Sequence, residues 1–125
     1  MIVGIGVDLM QYSRVERERS VSGWVPTGSI YTAREIENYG DRKRQNERFS
    51  VGFAAKEALL KALGVEVEDL AMFREIEVLY GPSGIPSIVL HLRLQSRARN
   101  LSVRRIWIST ASAKKHAGAL VVLES

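Results

Sequence analysis

Phe53-Ala54-Ala55-Lys56-Glu57-Ala58-Leu59-Leu60-Lys61-Ala62-Leu63-Gly64 is the stretch on which the fold of this chain turns. Ala, Leu, Lys and Glu are good helix formers and Gly is a natural terminator, so the run predicts the second half of a helix ending at Gly64. No Pro interrupts the chain back to Asp41, which can cap that segment. At about 100° per residue, Ala55, Ala58, Leu59, Ala62 and Leu63 fall on one arc and are expected to pack inward. Ser50, Phe53, Glu57 and Lys61 share a different face. Glu57 and Lys61 stand four apart in the favourable order for an exposed ion pair, worth roughly 0.2–0.5 kcal/mol, and the helix alone favours that surface role. Phe53 beside them points to a partly covered face.

Working outward, Ile2, Val3, Ile5 and Val7 make a β-rich run closed by Asp8, which predicts a buried strand ending in a carboxylate. Ser13 can cap a short helix through Ser20, with Glu16 completing a capping box, and Val21 to Ile30 reads as a loop. Thr32-Ala33-Arg34-Glu35 is a second capping box, opening a helix that Gly40 ends. Beyond the long helix, Arg74 to Tyr80 and Ile85 to Leu92 read as two strands around the turn Gly81-Pro82-Ser83-Gly84. Leu94 to Asn100 reads as a short basic helix. Val103 to Thr110 and Ala117 to Leu123 read as strands joined near Ala113-Lys114-Lys115. Short turns between neighbouring strands argue an α+β fold, with antiparallel hairpins packed on one long helix.

The chain has 125 residues, which suits a single domain, 1-125. With 46% hydrophobic and 26% charged residues it is an ordinary globular sequence, not a low-complexity or disordered one. The absence of Cys excludes a disulfide framework, a Cys-based zinc site and a thiol nucleophile. Only His91 and His116 are present, so a metal would be held mainly by oxygen, which favours magnesium, manganese or calcium. No apolar run approaches the roughly 20 residues of a membrane span. The opening reaches Asp8 without a basic region, unlike a signal peptide, and a cytoplasmic location is expected. A formal charge of +4 favours an acidic partner or a phosphate-bearing ligand. The basic residues are dispersed and no nucleic-acid recognition motif appears, so neither nucleic acid nor membrane is an expected partner.

Asp8 is the second chemical candidate. By itself it reads as a strand-end or turn residue. A carboxylate on a strand and another on a helix can together bind a hard divalent cation, since magnesium commonly takes one or two protein carboxylates and completes its shell with phosphate and water. A neighbouring Lys61 would then neutralise charge on a transferring phosphate. Spacing alone does not establish the triple.

Two motifs carry a resemblance. Ile5-Gly6-Val7-Asp8 followed by Arg14 is similar to the G-x-D-x-x-x-x-x-R opening of holo-acyl-carrier-protein synthases, and Phe53 to Gly64 resembles their F-A-A-K-E-A-x-x-K-A-L-G signature. Ile30-Tyr31-Thr32, Glu35, Ile76-Glu77-Val78, Gly84-x-Pro86 and the Ala117 to Glu124 tail follow in family order, covering nearly the whole chain. The resemblance implies a 4′-phosphopantetheinyl transferase fold and a magnesium-dependent transfer of the phosphopantetheine arm of coenzyme A to a Ser of an acyl carrier protein, in fatty-acid or polyketide biosynthesis. It implies that Asp8 and Glu57 ligate magnesium with the coenzyme A pyrophosphate and that Lys61 contacts the same phosphates. It makes Asp8 or Glu57 the general base, directly or through a metal-bound water. It assigns Gly64 to the coenzyme A site, sets Arg14 against the acidic carrier helix, with Arg17 and Arg19 able to extend that patch, and implies a homotrimer with the cofactor cleft between subunits. Short β segments with edges to hide agree with association.

The departures from the family pattern cluster. Gly52 replaces the usual Arg before Phe53, Val65-Glu66 follows Gly64 in place of Thr-Gly, and Ser112 stands where His is expected. These family features are associated with holding coenzyme A, and charge-assisted phosphate contacts are each worth roughly 1.5–3 kcal/mol. Lys43, Arg44, Lys114, Lys115 and His116 are the available substitutes. Retention of Asp8, Glu57 and Lys61 together favours an active transferase with a remodelled nucleotide pocket. The alternative is a repurposed family member that binds a carrier protein or pathway intermediate without using coenzyme A.

Overall fold

The long helix is enclosed on nearly every side. A computed structural model describes residues 1–11, 27–40 and 45–125. In chain order the described residues form β1 (Ile2–Gln11), α1 (Thr27–Ile30), α2 (Ala33–Asn38), α3 (Gln45–Leu63), a 3-10 turn (Leu70–Glu75), β2 (Ile76–Tyr80), β3 (Pro86–Leu90), α4 (Leu92–Asn100), β4 (Arg105–Ser112) and β5 (His116–Glu124). Between Phe49 and Leu63 every residue of α3 is buried except Glu57 and Lys61. The one-sided packing expected of Ala55, Ala58, Leu59, Ala62 and Leu63 is therefore too narrow. Phe53 is also covered, stacking on Phe73 at 5.3 Å between ring centroids. A helix apolar around most of its circumference is a core helix rather than a surface one.

Two antiparallel sheets surround it, one ordered β1-β5-β4 and the other a β2-β3 hairpin. The seam between α3 and β1 is set by glycines. A Cβ at Gly6 would lie 1.8 Å from the Ala58 carbonyl oxygen, and one at Gly4 would lie 2.1 Å from that of Ala62. Only Gly permits this backbone-to-backbone approach. At the helix end Gly64 takes φ +66°, with its N–H donating to Lys61 O and that of Val65 to Leu60 O. This left-handed cap satisfies the last carbonyls.

Several expected boundaries shift. β1 does not stop at Asp8, because the ladder to β5 continues through Asp8↔Ala119 and Met10↔Ala117 to Gln11↔His116. The last residues of the expected loop form α1. Arg74 and Glu75 belong to the 3-10 turn, which Asp69 caps by accepting from Met72 N, so β2 begins at Ile76. The expected strand at Ile85 shortens to β3, and α4 starts at Leu92 rather than Leu94. β4 lies two residues later than expected, where its register with β5 pairs Arg105 with Glu124 and Ser112 with Ala117. The Thr32 capping box forms as expected, with Glu35 N donating to Thr32 Oγ1 at 3.2 Å and Thr32 N to Glu35 Oε1 at 2.9 Å. The helix expected after Ser13 and the Asp41 cap lie outside the described residues.

Candidate active site

The Gly4 and Gly6 contacts run antiparallel to α3, so two residues further along β1 the Asp8 side chain comes to the same helix face. The Lys61 ammonium donates to Asp8 Oδ1 at 3.0 Å and to Val7 O at 3.1 Å. The ion pair the structure shows at Lys61 is thus with Asp8, correcting the expectation of a Glu57/Lys61 surface pair. A strand carboxylate 3.0 Å away makes a closer clamp than two flexible side chains on one exposed helix face. The Lys61 side chain is 57% exposed and that of Asp8 only 11%. Glu57 is half-buried, one turn before Lys61 on the same side of α3.

Asp8 Oδ2 is buried and has no hydrogen-bond partner among the described residues. A carboxylate oxygen so placed is costly unless something satisfies it. A hard cation is a chemistry that fits, and Glu57 could offer a second oxygen to it. Among the described residues no group of three or more His, Cys, Asp or Glu is placed to hold a metal, so a cation here would have to take its remaining ligands from substrate or water.

The departures from the family pattern have their own geometry. Ser112 Oγ donates to Glu47 Oε1 at 2.7 Å, tying the end of β4 to the first turn of α3. Both line a cavity of about 130 Å³ with Arg48, Tyr80 and Thr110. Arg48 lies 5.3 Å from the Tyr80 ring centroid and donates to Asn38 O at 3.3 Å. Gly52 is a seat for Tyr39, since a Cβ there would lie 2.7 Å from the Tyr39 hydroxyl. The usual Arg has no room at this position while Tyr39 keeps its place. Gly64 is exposed at the helix end, where Arg97 Nε donates to Leu63 O at 3.0 Å. Lys114 and Lys115 are exposed in the β4–β5 turn, and His116 opens β5 opposite Gln11. Arg14, Arg17, Arg19, Lys43 and Arg44 lie outside the described residues.

A buried polar cluster on the other side of α3 escaped the sequence reading. Lys56 and Glu35 are both fully buried and paired at 2.7 Å. Burial pushes the Lys56 ammonium down to about 8, against the pull of Glu35. Burial, then the Glu35 charge, raises the Tyr39 phenol far above its ordinary range. One signal was available: the neighbours of Lys56 at three and four residues, Gly52, Phe53, Leu59 and Leu60, are all apolar.

The 4′-phosphopantetheinyl transferase superfamily model matches residues 4–120, spanning the Asp8 strand, the Lys61 helix and the strands around them. The chain belongs to this superfamily. It is 34% identical over 124 residues to the holo-[acyl-carrier-protein] synthase of Koribacter versatilis, covering 99% of both chains. It is 33% identical over 124 residues to that of Fusobacterium nucleatum, covering 98% of this chain and 99% of the relative. Among solved structures, the holo-[acyl-carrier-protein] synthase of Neisseria meningitidis is similar at TM-score 0.87 and 27% identity over 100% of both chains. The enzyme of Bacillus anthracis, in complex with CoA (3′,5′-ADP), is similar at TM-score 0.75 and 28% identity over 100% of this chain and 98% of that one. The α+β architecture expected of the transferase family is thus the one this chain adopts.

Proposed function

We propose that this superfamily member transfers the 4′-phosphopantetheine arm of coenzyme A to a serine of an acyl carrier protein, releasing 3′,5′-adenosine diphosphate. The observation that carries this reading is the meeting of Asp8 and Lys61 at 3.0 Å from two separate elements, with Glu57 one turn away. Relatives alike over the whole chain are named for this activity.

Asp8 Oδ2 and Glu57 would hold magnesium. Bound there, the ion would neutralise charge on the coenzyme A pyrophosphate. Lys61 supplies a fixed cation for the phosphate charge that grows on the departing adenosine diphosphate, and its bond to Asp8 Oδ1 orients that ammonium before substrate arrives. Asp8 or Glu57 accepts the proton of the attacking serine hydroxyl as its oxygen forms the new phosphoester bond. Arg14 meets the acidic carrier protein, and Gly64, Lys43 and Arg44 belong to the coenzyme A side. Mass spectrometry of an apo acyl carrier protein incubated with this chain, coenzyme A and magnesium tests the reading. A gain of one phosphopantetheine mass is expected, and no gain with a carrier that a related synthase modifies would refute it. That second result is the one the repurposed alternative requires.

The working form proposed is a cytoplasmic homotrimer. No helix among the described residues is long and apolar enough to cross a membrane. The outward face of the three-stranded sheet carries Ile5, Val7, Leu9, Trp107 and Leu120, all exposed in the single chain. Such an apolar face favours association. Sedimentation at micromolar concentration should give a trimer, and a monomer would contradict it.

A further inference from the structure

Lys56 immediately precedes Glu57, yet it points away from the site. Its ammonium donates to Ile30 O at 2.7 Å, Glu35 Oε1 at 2.7 Å and Phe73 O at 2.9 Å, so all of its donors are engaged. It also lies 4.8 Å from the Tyr31 ring centroid. Glu35 is equally committed, accepting from Thr32 N, Tyr39 Oη and Val78 N besides Lys56. The three acceptors of Lys56 lie in α1, α2 and the 3-10 turn, and Glu35 extends the link to β2 through Val78 N, so the pair ties α3 to four neighbouring pieces of chain.

At about 100° per residue, Lys56 and Ala58 lie some 200° apart on α3. Ala58 and Ala62 are pressed against Gly6 and Gly4 of β1. The helix is therefore held from two nearly opposite sides, by a flush backbone seam and by a saturated ammonium. Glu57 sits between the two holds, and Lys61 lies about 40° further round. A roll of roughly 10° would carry a side-chain tip about 6 Å from the axis through about 1 Å. Misplacements of about 1 Å can lower an enzymatic rate about a hundredfold.

We propose that Lys56 is a positioning residue of this site, fixing the roll of α3 so that Glu57 and Lys61 face Asp8; this rests on the transferase reading above. Lys56 touches no reacting group. It acts through the helix, with Glu35 as the counterion that holds it.

The experiment compares wild type, Lys56→Met and Tyr39→Phe, each at a temperature where circular dichroism shows it folded. Tyr39→Phe loosens the same core but leaves the three acceptors of the ammonium in place. Steady-state transfer to an apo carrier protein and a crystal structure of each variant are the readouts. Lys56→Met should lower kcat at least about tenfold with KM for coenzyme A within about threefold, and should lengthen the Lys61–Asp8 contact by about 1 Å. Tyr39→Phe should keep kcat within about twofold. A folded Lys56→Met with wild-type kcat and an intact Lys61–Asp8 pair overturns the proposal. So does an equal loss in Tyr39→Phe, which would make general loosening the cause. Should Lys56→Met fail to fold, Lys56→Gln, which keeps two donors without the charge, carries the same comparison. If the wild type transfers nothing, the transferase reading fails, and the Lys61–Asp8 separation in the variant still decides the positioning role.

Discussion

Replacing Gly52 by Ala asks whether Tyr39 holds its seat firmly. In the interior of a helix, Gly→Ala should by itself stabilise by about 1 kcal/mol. Here the added methyl would stand 2.7 Å from the Tyr39 hydroxyl and 3.3 Å from its Cζ. The hydroxyl cannot easily withdraw, because it is held between Val78 O at 2.5 Å and Glu35 Oε2 at 3.1 Å, and the ring is packed edge-on against Tyr31, Phe49 and Tyr80. Overpacking of this kind costs about 1–3 kcal/mol, so Gly52→Ala should destabilise by about 0–2 kcal/mol net. Tyr39→Phe alone should cost about 1–2 kcal/mol through the lost buried hydrogen bond. In the Tyr39→Phe background the closest atom is gone, the helix preference of Ala is expressed, and Gly52→Ala should become neutral or stabilising. Urea unfolding of the four proteins at one fixed concentration measures the coupling, expected at about 1–3 kcal/mol. Additivity within about 0.5 kcal/mol would refute the idea that Gly52 exists to seat Tyr39.

Gly6→Ala should cost at least the upper end of the roughly 1–3 kcal/mol overpacking range, since its methyl would overlap the Ala58 carbonyl; thermal unfolding near wild type would contradict the flush seam. Asp8→Asn should leave circular dichroism unchanged and lower transfer at least about a hundredfold, and a fully active variant would remove Asp8 from the chemistry. Burial acts to raise the Glu77 carboxyl, but hydrogen bonds from Thr32 and His91 and the Arg34 charge outweigh it and hold the group below its ordinary 4.5. A depressed carboxylate contributes stability that is full above its unfolded value and lost as pH falls through the folded one. Urea midpoints should therefore drop as pH falls below about 4.5, and Glu77→Gln should flatten that slope. Finally, with Gly52 and Ser112 in place of cationic residues, discrimination between coenzyme A and its 3′-dephospho form should be poor; a strong native preference in competition assays would show that Lys43, Arg44, Lys114, Lys115 or His116 has taken over the contact.

How far the sequence could be read depended on whether the deciding contact was local. The Thr32 box, the Gly64 stop and the Gly81 to Gly84 turn are written in a few neighbouring residues, and each formed where expected. Strand limits were less legible because pairing partners set them: Gln11 is strand only because His116 lies opposite. The site divides the same way. Asp8, Glu57 and Lys61 stood out through motif resemblance, yet spacing on one helix favoured pairing Lys61 with Glu57, and only the tertiary seam could reveal Asp8 as its partner. The Lys56–Glu35 pair joins residues 21 apart, and Glu47–Ser112 residues 65 apart, beyond the reach of any local pattern.

The glycine seam also bears on how this chain can change over generations. At Gly4 and Gly6 the strand bearing Asp8 meets the main chain of the helix bearing Lys61, with no side chain of its own as a spacer at those two positions. Altering the volume of a core residue that touches neither this seam nor the Lys56 hold on α3 should leave the separation of strand and helix nearly untouched. On the proposed reading, substitutions around Gly52, Glu66 and Ser112 would alter which nucleotide fits while the Asp8–Lys61 pairing is inherited intact. The seam insulates chemistry from specificity, so that a lineage can explore new ligands without first dismantling its catalyst.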